Sequence, residues 1–197
     1  TVMNAKHELI FNRSRNDFNA VKQIAQGDVN NRTFENFKVT LTKIEWLMPY
    51  VMVSDRLKIN LLNQLKKNII MTFRTWELYE YPLPQTSTSH VWTVKTSNQL
   101  EKPRFIFLAF QTNRKGQKAV NFSRFDHCNI RNVKLFLNSQ YYPHGDLNLN
   151  IAEGQYSILY SMFSKFQSLY YNKYPKPILD RKSFIEHLPI IIIDCSK

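Results

Sequence analysis

Apolar residues along the chain follow two spacings, one typical of strands and one typical of helices. Alternating or continuous apolar runs of strand length, bounded by turn residues, are the more frequent. The run at 103–112 is the strongest, since Phe105–Phe110 is apolar on both faces, as in a strand covered on both sides. The pattern predicts strands at residues 7–13, 37–48, 69–79, 90–95, 103–112, 130–138 and 189–195.

Helical spacing occurs in three places. Ser54-Asp55 is a potential N-cap, and leucines at helical spacing follow it up to 66–68. A second helix is predicted from Gln155 to Asn172, with an apolar stripe, and a short third one is capped by Asp180. These three helices lie between predicted strands.

The order of these elements defines the expected fold class. Strands do not alternate regularly with helices, so a doubly wound parallel sheet is not expected. The chain is predicted to be mainly β, a β-sandwich with helical insertions.

Composition and charge add a class of partner. The 197 residues carry 27 Lys and Arg against 15 Asp and Glu, a net charge of +12 that is spread over both halves of the chain. A diffuse positive field favours an anionic partner, such as nucleic acid or a membrane surface. No apolar run approaches the roughly 20 residues that span a bilayer. Two distant cysteines, Cys128 and Cys195, form neither a disulfide framework nor a zinc-ribbon motif, which favours a reducing compartment.

The two ends of the sequence indicate a piece of a longer protein. The chain starts at Thr1 rather than at Met, and it stops directly after an apolar strand. We therefore expect a fragment.

No combination of residues predicts catalysis. His127 and Cys128 are adjacent, and neighbours on a strand point to opposite faces, so they do not form a dyad. The five histidines are scattered, and the nucleophile-elbow and phosphate-loop motifs are absent. The sequence predicts no enzyme, no catalytic residue, no metal and no cofactor.

Two clusters are candidate binding sites. Arg114, Lys115 and Lys118 crowd around Gly116 at the tip of a predicted hairpin, where they form a phosphate contact or a solvated turn whose charges prevent edge pairing. The solvated turn is the favoured interpretation of the two. Tyr170, Tyr171 and Tyr174 end the second predicted helix, either as an interface or packed under a loop.

Several segments in order resemble one protein family. The segments are 6–10, 44–51 followed by Ser54-Asp55, 101–106 followed by 109–115, 125–129 followed by 137–139 and Tyr142-Pro143, and 193–197. In this order, over roughly residues 6–197, the chain resembles the double jelly-roll major capsid proteins of Polinton-like and adintovirus-like double-stranded DNA elements.

The resemblance implies a domain organisation and a function. Such proteins carry two consecutive eight-stranded jelly rolls, and three copies form a pseudo-hexagonal capsomer. Residues 1–36 are then the end of the first jelly roll with its connection, and residues 37–197 are the second jelly roll without its last strands. The family continues beyond the Asp194-Cys195-Ser196-Lys197 motif, whereas this chain ends inside it.

The expected function is structural. The resemblance implies self-assembly into a homotrimer and a capsid lattice with other capsid proteins, around packaged DNA held by non-specific charge, in a virion and without a membrane partner. The compartment in the infected or host cell is left open. The alternative is a domesticated host jelly-roll protein that acts as a monomeric nucleic-acid or carbohydrate binding module. A cupin-like metalloenzyme is the third possibility. It needs clustered histidines and a carboxylate, and the histidines of this sequence are scattered.

Overall fold

A computed structural model of the chain describes residues 7–24, 33–68, 70, 72–82, 87–95 and 103–196. The chain divides into two compact units. One combines Thr1–Thr40 with Lys102–Lys197, and the other is Leu41–Glu101. This division does not test which residues belong to which jelly roll, so the predicted boundary between residues 36 and 37 stays a prediction.

The described residues form three helices and four strands. In chain order they are α1 (Asp55–Gln64), β1 (Phe105–Leu108), β2 (Leu135–Leu137), β3 (Gln140–Tyr142), α2 (Ser157–Tyr171), α3 (Arg181–His187) and β4 (Ile191–Asp194). Helix α1 lies in the unit of residues 41–101, and all the other elements lie in the unit that contains the chain ends.

Strands β1 and β4 form an antiparallel pair at the centre of the larger unit. Phe105 lies opposite Asp194, and Leu108 lies opposite Ile191. Ile191–Ile193 are all buried, because helix α2 packs against β4. The strongest apolar run in the sequence therefore pairs with the last one. The expectation that this run is covered on both faces is not met in the described residues, because Phe105–Leu108 are only half-buried and β1 has a single partner strand there.

The hydrophobic core joins these elements to the loops around them. Phe184 of α3 and Leu159 of α2 are the largest fully buried side chains. The other buried members of the core are Tyr142, Leu147, Leu149, Ile191, Ile193 and Cys195. Deletion of a large side chain in such a core typically costs about 3–5 kcal/mol, so α3 contributes substantially despite its seven residues.

Strands β2 and β3 form a hairpin with a two-residue turn. Asn138 and Ser139 both have positive φ, at 50° and 63°, which is the conformation of a type I′ turn. The sequence pattern predicted a strand at 130–138, and the structure confirms only 135–137. The second strand of the hairpin ends at Tyr142.

The predicted helices are all present, with shorter ends. Asp180 caps α3 as predicted, since its carboxylate accepts a hydrogen bond from the Ser183 backbone N–H at 3.2 Å. Ser54 occupies the N-cap position of α1, but its side chain makes no capping hydrogen bond. Helix α2 ends at Tyr171, and Asn172 caps it in the left-handed conformation typical of helix ends.

Four predicted strands are absent from the described residues. Residues 7–13, 37–48 and 90–95 form neither strand nor helix, nor do residues 70 and 72–79, while Ile69 and Met71 lie outside the described part. Alternation sets which face a side chain occupies, but a strand also needs a neighbour that completes its hydrogen bonds. In the described part, more residues are therefore helical than extended, since the helices have 10, 15 and 7 residues and each strand has only three or four. The expectation of a mainly β chain is only loosely supported.

Within the described ranges, every helix is too short or too polar to cross a membrane.

Candidate functional site

The basic turn after β1 is the first candidate site, and its shape depends on two residues with positive φ. Asn113 has a φ of 50° and Gly116 a φ of 75°. The Gln117 backbone N–H donates to the Arg114 carbonyl at 3.2 Å and tightens the turn. Glycine is the residue that adopts such a φ without strain, so the cluster of cations is built around Gly116.

Arg114 forms an ion pair with Asp126. Its Nε donates to Asp126 Oδ2 at 2.9 Å, its Nη2 donates to Oδ1, and its Nη1 donates to the Asn121 carbonyl. The side chains of Arg114 and Asp126 are only 17% and 24% exposed. This two-point geometry is the strongest form of an arginine–carboxylate contact. Arg114 therefore fixes a loop of its own chain.

The charge of Asp126 is stabilised from two sides. Thr112 donates to Asp126 Oδ2 with its backbone N–H at 2.8 Å and with its hydroxyl at 3.0 Å. The hydrogen bond from Arg114, followed by those from Thr112, outweighs burial and lowers the pKa of Asp126 to about 2. The backbone N–H of Asp126 also donates to the Phe110 carbonyl at 2.8 Å. This bond forms an isolated antiparallel bridge between Phe110 and Asp126, just after the end of β1.

Lys118 fastens the other end of the turn to the segment near the chain start. Its Nζ donates to Asn36 Oδ1 at 3.0 Å and lies 5.0 Å from the centre of the Phe18 ring. The Gly116 backbone N–H donates to Asn19 Oδ1 at 2.9 Å. Lys115 is exposed. The structure thus shows Arg114 and Lys118 in intramolecular bonds, and an anion contact at the turn stays a prediction.

The tyrosines at the end of α2 differ sharply in exposure. Tyr170 is half-buried and stacks on Phe166 at 5.0 Å between ring centres. Tyr171 is 57% exposed and Tyr174 is 83% exposed. The interface predicted for these residues is not tested by the structure and stays a prediction.

Sequence reasoning missed a second fixed loop, around Lys134. The Lys134 Nζ donates to Asp146 Oδ1 at 3.0 Å and also lies within hydrogen-bond distance of the carbonyls of Pro143, His144 and Gly145. The bond from Lys134, and then that from Asn132, lowers the pKa of Asp146. The only sequence signal was a lysine on a strand followed by a turn, which is too common to predict the contact.

The remaining polar residues do not assemble into a catalytic arrangement in the described part of the chain. No group of three His, Cys, Asp or Glu residues there is able to hold a metal ion. Cys128 is exposed, Cys195 is buried, and His127 Nδ1 accepts a hydrogen bond from the Asn129 backbone. The expectation of no enzyme, no metal and no cofactor stays a prediction.

In the larger unit, two small antiparallel strand pairs and helices α2 and α3 share one hydrophobic core, and ion pairs hold the loops. A family model described as double jelly roll-like domain matches residues 1–197, and the chain belongs to this family. A search of curated proteins found no match, and a search of solved structures found none.

Proposed function

We propose that the chain is part of a double jelly-roll major capsid protein of Polinton-like viral elements, which self-assembles into trimeric capsomers around double-stranded DNA. Family membership over the whole of residues 1–197 is the observation that carries this proposal. The double jelly roll is a capsid-type fold, and its function in capsids is carried by contacts between copies rather than by catalysis.

Exposed apolar side chains support a function in assembly. Helix α1 has no buried residue, and its Leu57 and Leu62 are exposed, as is Leu65 directly after the helix. Monomeric proteins rarely leave large contiguous apolar surfaces in water. Other exposed apolar residues of the unit of residues 41–101 include Leu41, Ile44, Trp46, Leu47, Tyr50, Val51, Met52, Phe73, Trp76, Leu78 and Val91. A contact between copies in a capsid lattice buries such side chains.

The net charge supports the part of the proposal that concerns packaged DNA. A charge of +12 on each copy, multiplied over a capsid, offsets the phosphate charge of a packaged duplex without any base-specific contact. The proposal therefore includes other capsid proteins and DNA as partners, a location in the virion, and no membrane partner.

Sedimentation velocity on the full natural protein tests the proposal. Trimers or larger particles are expected, and their fraction rises with protein concentration. A stable monomer at every salt concentration contradicts the proposal and favours the monomeric binding module.

A pair of variants locates the contact. Leu57→Gln together with Leu62→Gln removes apolar surface from α1 without a strong loss of helix propensity, and we expect it to shift the distribution toward monomer. Ile178→Gln is the control, because it removes an exposed apolar side chain from the other unit. Equal effects of both changes contradict a specific role for α1.

A further inference from the structure

A row of aromatic rings runs from the β1–β4 core to the surface at the end of α2. The ring of Phe107 lies 4.9 Å from that of Phe166, which lies 5.0 Å from Tyr170, which lies 4.7 Å from Tyr171. The first three rings are half-buried, whereas Tyr171 is 57% exposed. An exposed ring that packs on half-buried rings is held in place before any partner arrives.

The chain after α2 turns back along the helix, so that three further residues lie near its C-terminal end. Asn172 adopts a φ of 53°, and the Lys176 backbone N–H donates to Gln167 Oε1 at 2.7 Å. Gln167 and Tyr171 are four residues apart and share one face of α2. Lys173, Tyr174 and Lys176 are therefore confined to the Tyr171 end of the helix.

The charge around these rings is entirely positive along the chain. No Asp or Glu occurs between Glu153 and Asp180. Lys173 and Lys176 are exposed and have no ion-pair partner in the part of the chain that the structure describes. Arg104 adds a fixed cation, since its Nη2 donates to the Leu169 carbonyl at 2.7 Å in the last turn of α2.

We infer that this surface, formed by Tyr171, Lys173, Tyr174 and Lys176, binds single-stranded nucleic acid by stacking unpaired bases on the tyrosine rings while the lysines contact phosphates. Exposed aromatic rings with nearby cations are the combination that single strands require. A duplex hides its base faces and uses only the cations. The inference goes beyond the proposed function, and neither depends on the other.

A second copy of this chain fits the surface less well than nucleic acid does. A contact between copies of this chain brings Lys173 and Lys176 toward a partner that also carries a net charge of +12. Nucleic acid matches the charge and the rings together, so the contact between copies becomes an outcome of the test.

The test is a titration of the 197-residue chain into fluorescently labelled oligothymidylate of 20 nucleotides and into a 20-base-pair duplex, read by anisotropy. Tyr171→Leu and Tyr174→Leu are each expected to weaken single-strand binding about tenfold, with little change for the duplex. Tyr171→Phe retains the ring and is expected to bind like the parent. Lys173→Gln with Lys176→Gln is expected to reduce the salt slope for the single strand by about 1 to 1.5.

Two control variants keep the outcome specific. Tyr141→Leu removes a ring that is also 57% exposed, but from the β2–β3 hairpin. Lys165→Gln removes an exposed lysine from α2, two residues before Gln167 and so on a different face. Both are expected to leave single-strand affinity unchanged.

Three results overturn the inference: unchanged single-strand affinity in the leucine variants, an equal loss for single strand and duplex, or an effect of Tyr141→Leu as large as that of Tyr171→Leu. If the leucine variants instead change only the sedimentation of the chain, the surface is an interface between copies. Binding and sedimentation are separate measurements, so failure of this inference and failure of the proposed capsid function are distinguishable.

Discussion

At the scale of single residues, Arg114 shows how a surface cation becomes part of the framework. Twelve residues separate it from Asp126, and the chain between them folds back so that the two side chains meet. A hydrogen-bonded ion pair with little exposure contributes more to the stability of the fold than an exposed surface pair, which contributes roughly 0–1 kcal/mol. The turn after β1 is thus held by chemistry that the local sequence does not reveal.

Replacement of Asp126 by Asn is expected to destabilise the protein at neutral pH. The folded pKa of about 2 lies below the ordinary value of 3.8, so the ion pair stabilises the fold above about pH 4 and loses this effect as the pH falls toward 2. The difference corresponds to about 2 kcal/mol at pH 7, or roughly 5 °C in the thermal midpoint of a chain of this size. Thermal midpoints of the parent and of Asp126→Asn between pH 2 and pH 7 are expected to converge at the acid end.

Glu186→Gln provides the control for this series. Glu186 pairs with Lys182 at 3.9 Å on the surface of α3, and such an exposed pair contributes little. Its midpoint is expected to follow that of the parent. An Asp126→Asn curve that runs parallel to the parent at every pH contradicts a stabilising charge at Asp126.

At the scale of elements, periodicity predicts helices better than strands. The apolar stripe of α2 and the Asp180 cap of α3 are both confirmed, because a helix completes its own hydrogen bonds. The strand at 191–194 is confirmed where a partner strand, β1, is present. The alternating segment 37–48 has the pattern of a strand and no partner strand in the described residues.

The hairpin of β2 and β3 allows a stabilising substitution. Ser139 holds a φ of 63°, which L-residues adopt at a cost and glycine adopts freely. Ser139→Gly creates the Asn-Gly pair that type I′ turns prefer. It is expected to raise the free energy of unfolding by about 0.5–1 kcal/mol, measured by urea denaturation.

The same serine-to-glycine change within a helix is expected to have the opposite effect on stability. Ser168 lies within α2, where glycine costs conformational entropy, so Ser168→Gly is expected to lower stability. A loss of stability in Ser139→Gly as well would show that the turn does not hold the φ that the structure assigns to it.

At the scale of the whole molecule, net charge and exposed apolar side chains are the features that concern partners. The positive charge is a property of the full sequence, whereas the exposure of the apolar side chains on α1 is visible only in the structure. Family membership turns these two features into a proposal about assembly and packaging.

Binding to duplex DNA is expected to depend strongly on salt. If non-specific charge is what binds the packaged duplex, each phosphate contact contributes about 0.9 to the slope of log K against log salt. A chain that makes four contacts is expected to lose roughly a hundredfold in affinity between 50 and 200 mM salt. Affinity measured by anisotropy on a 20-base-pair duplex tests this, and binding that is equally weak at low and high salt contradicts the packaging contact.

By itself, the sequence determined the properties that depend on neighbouring residues or on sums over the chain. These are the three helices, the apolar strand that becomes β4, the cluster of cations around Gly116, and the net charge. The resemblance to double jelly-roll proteins also came from the sequence, through the order of several short segments, and the family match confirms it at the level of the fold.

Only the tertiary structure decided which residues meet. The pairing of β1 with β4 joins segments more than 80 residues apart, and the bonds of Arg114 to Asp126 and of Lys134 to Asp146 join a strand or turn to a distant loop. It also decided that Tyr170 is half-buried while Tyr171 is exposed, although the two are adjacent. Local periodicity determines the face that a side chain takes on its own element, whereas its partner is chosen by packing and hydrogen bonding among elements far apart in the chain.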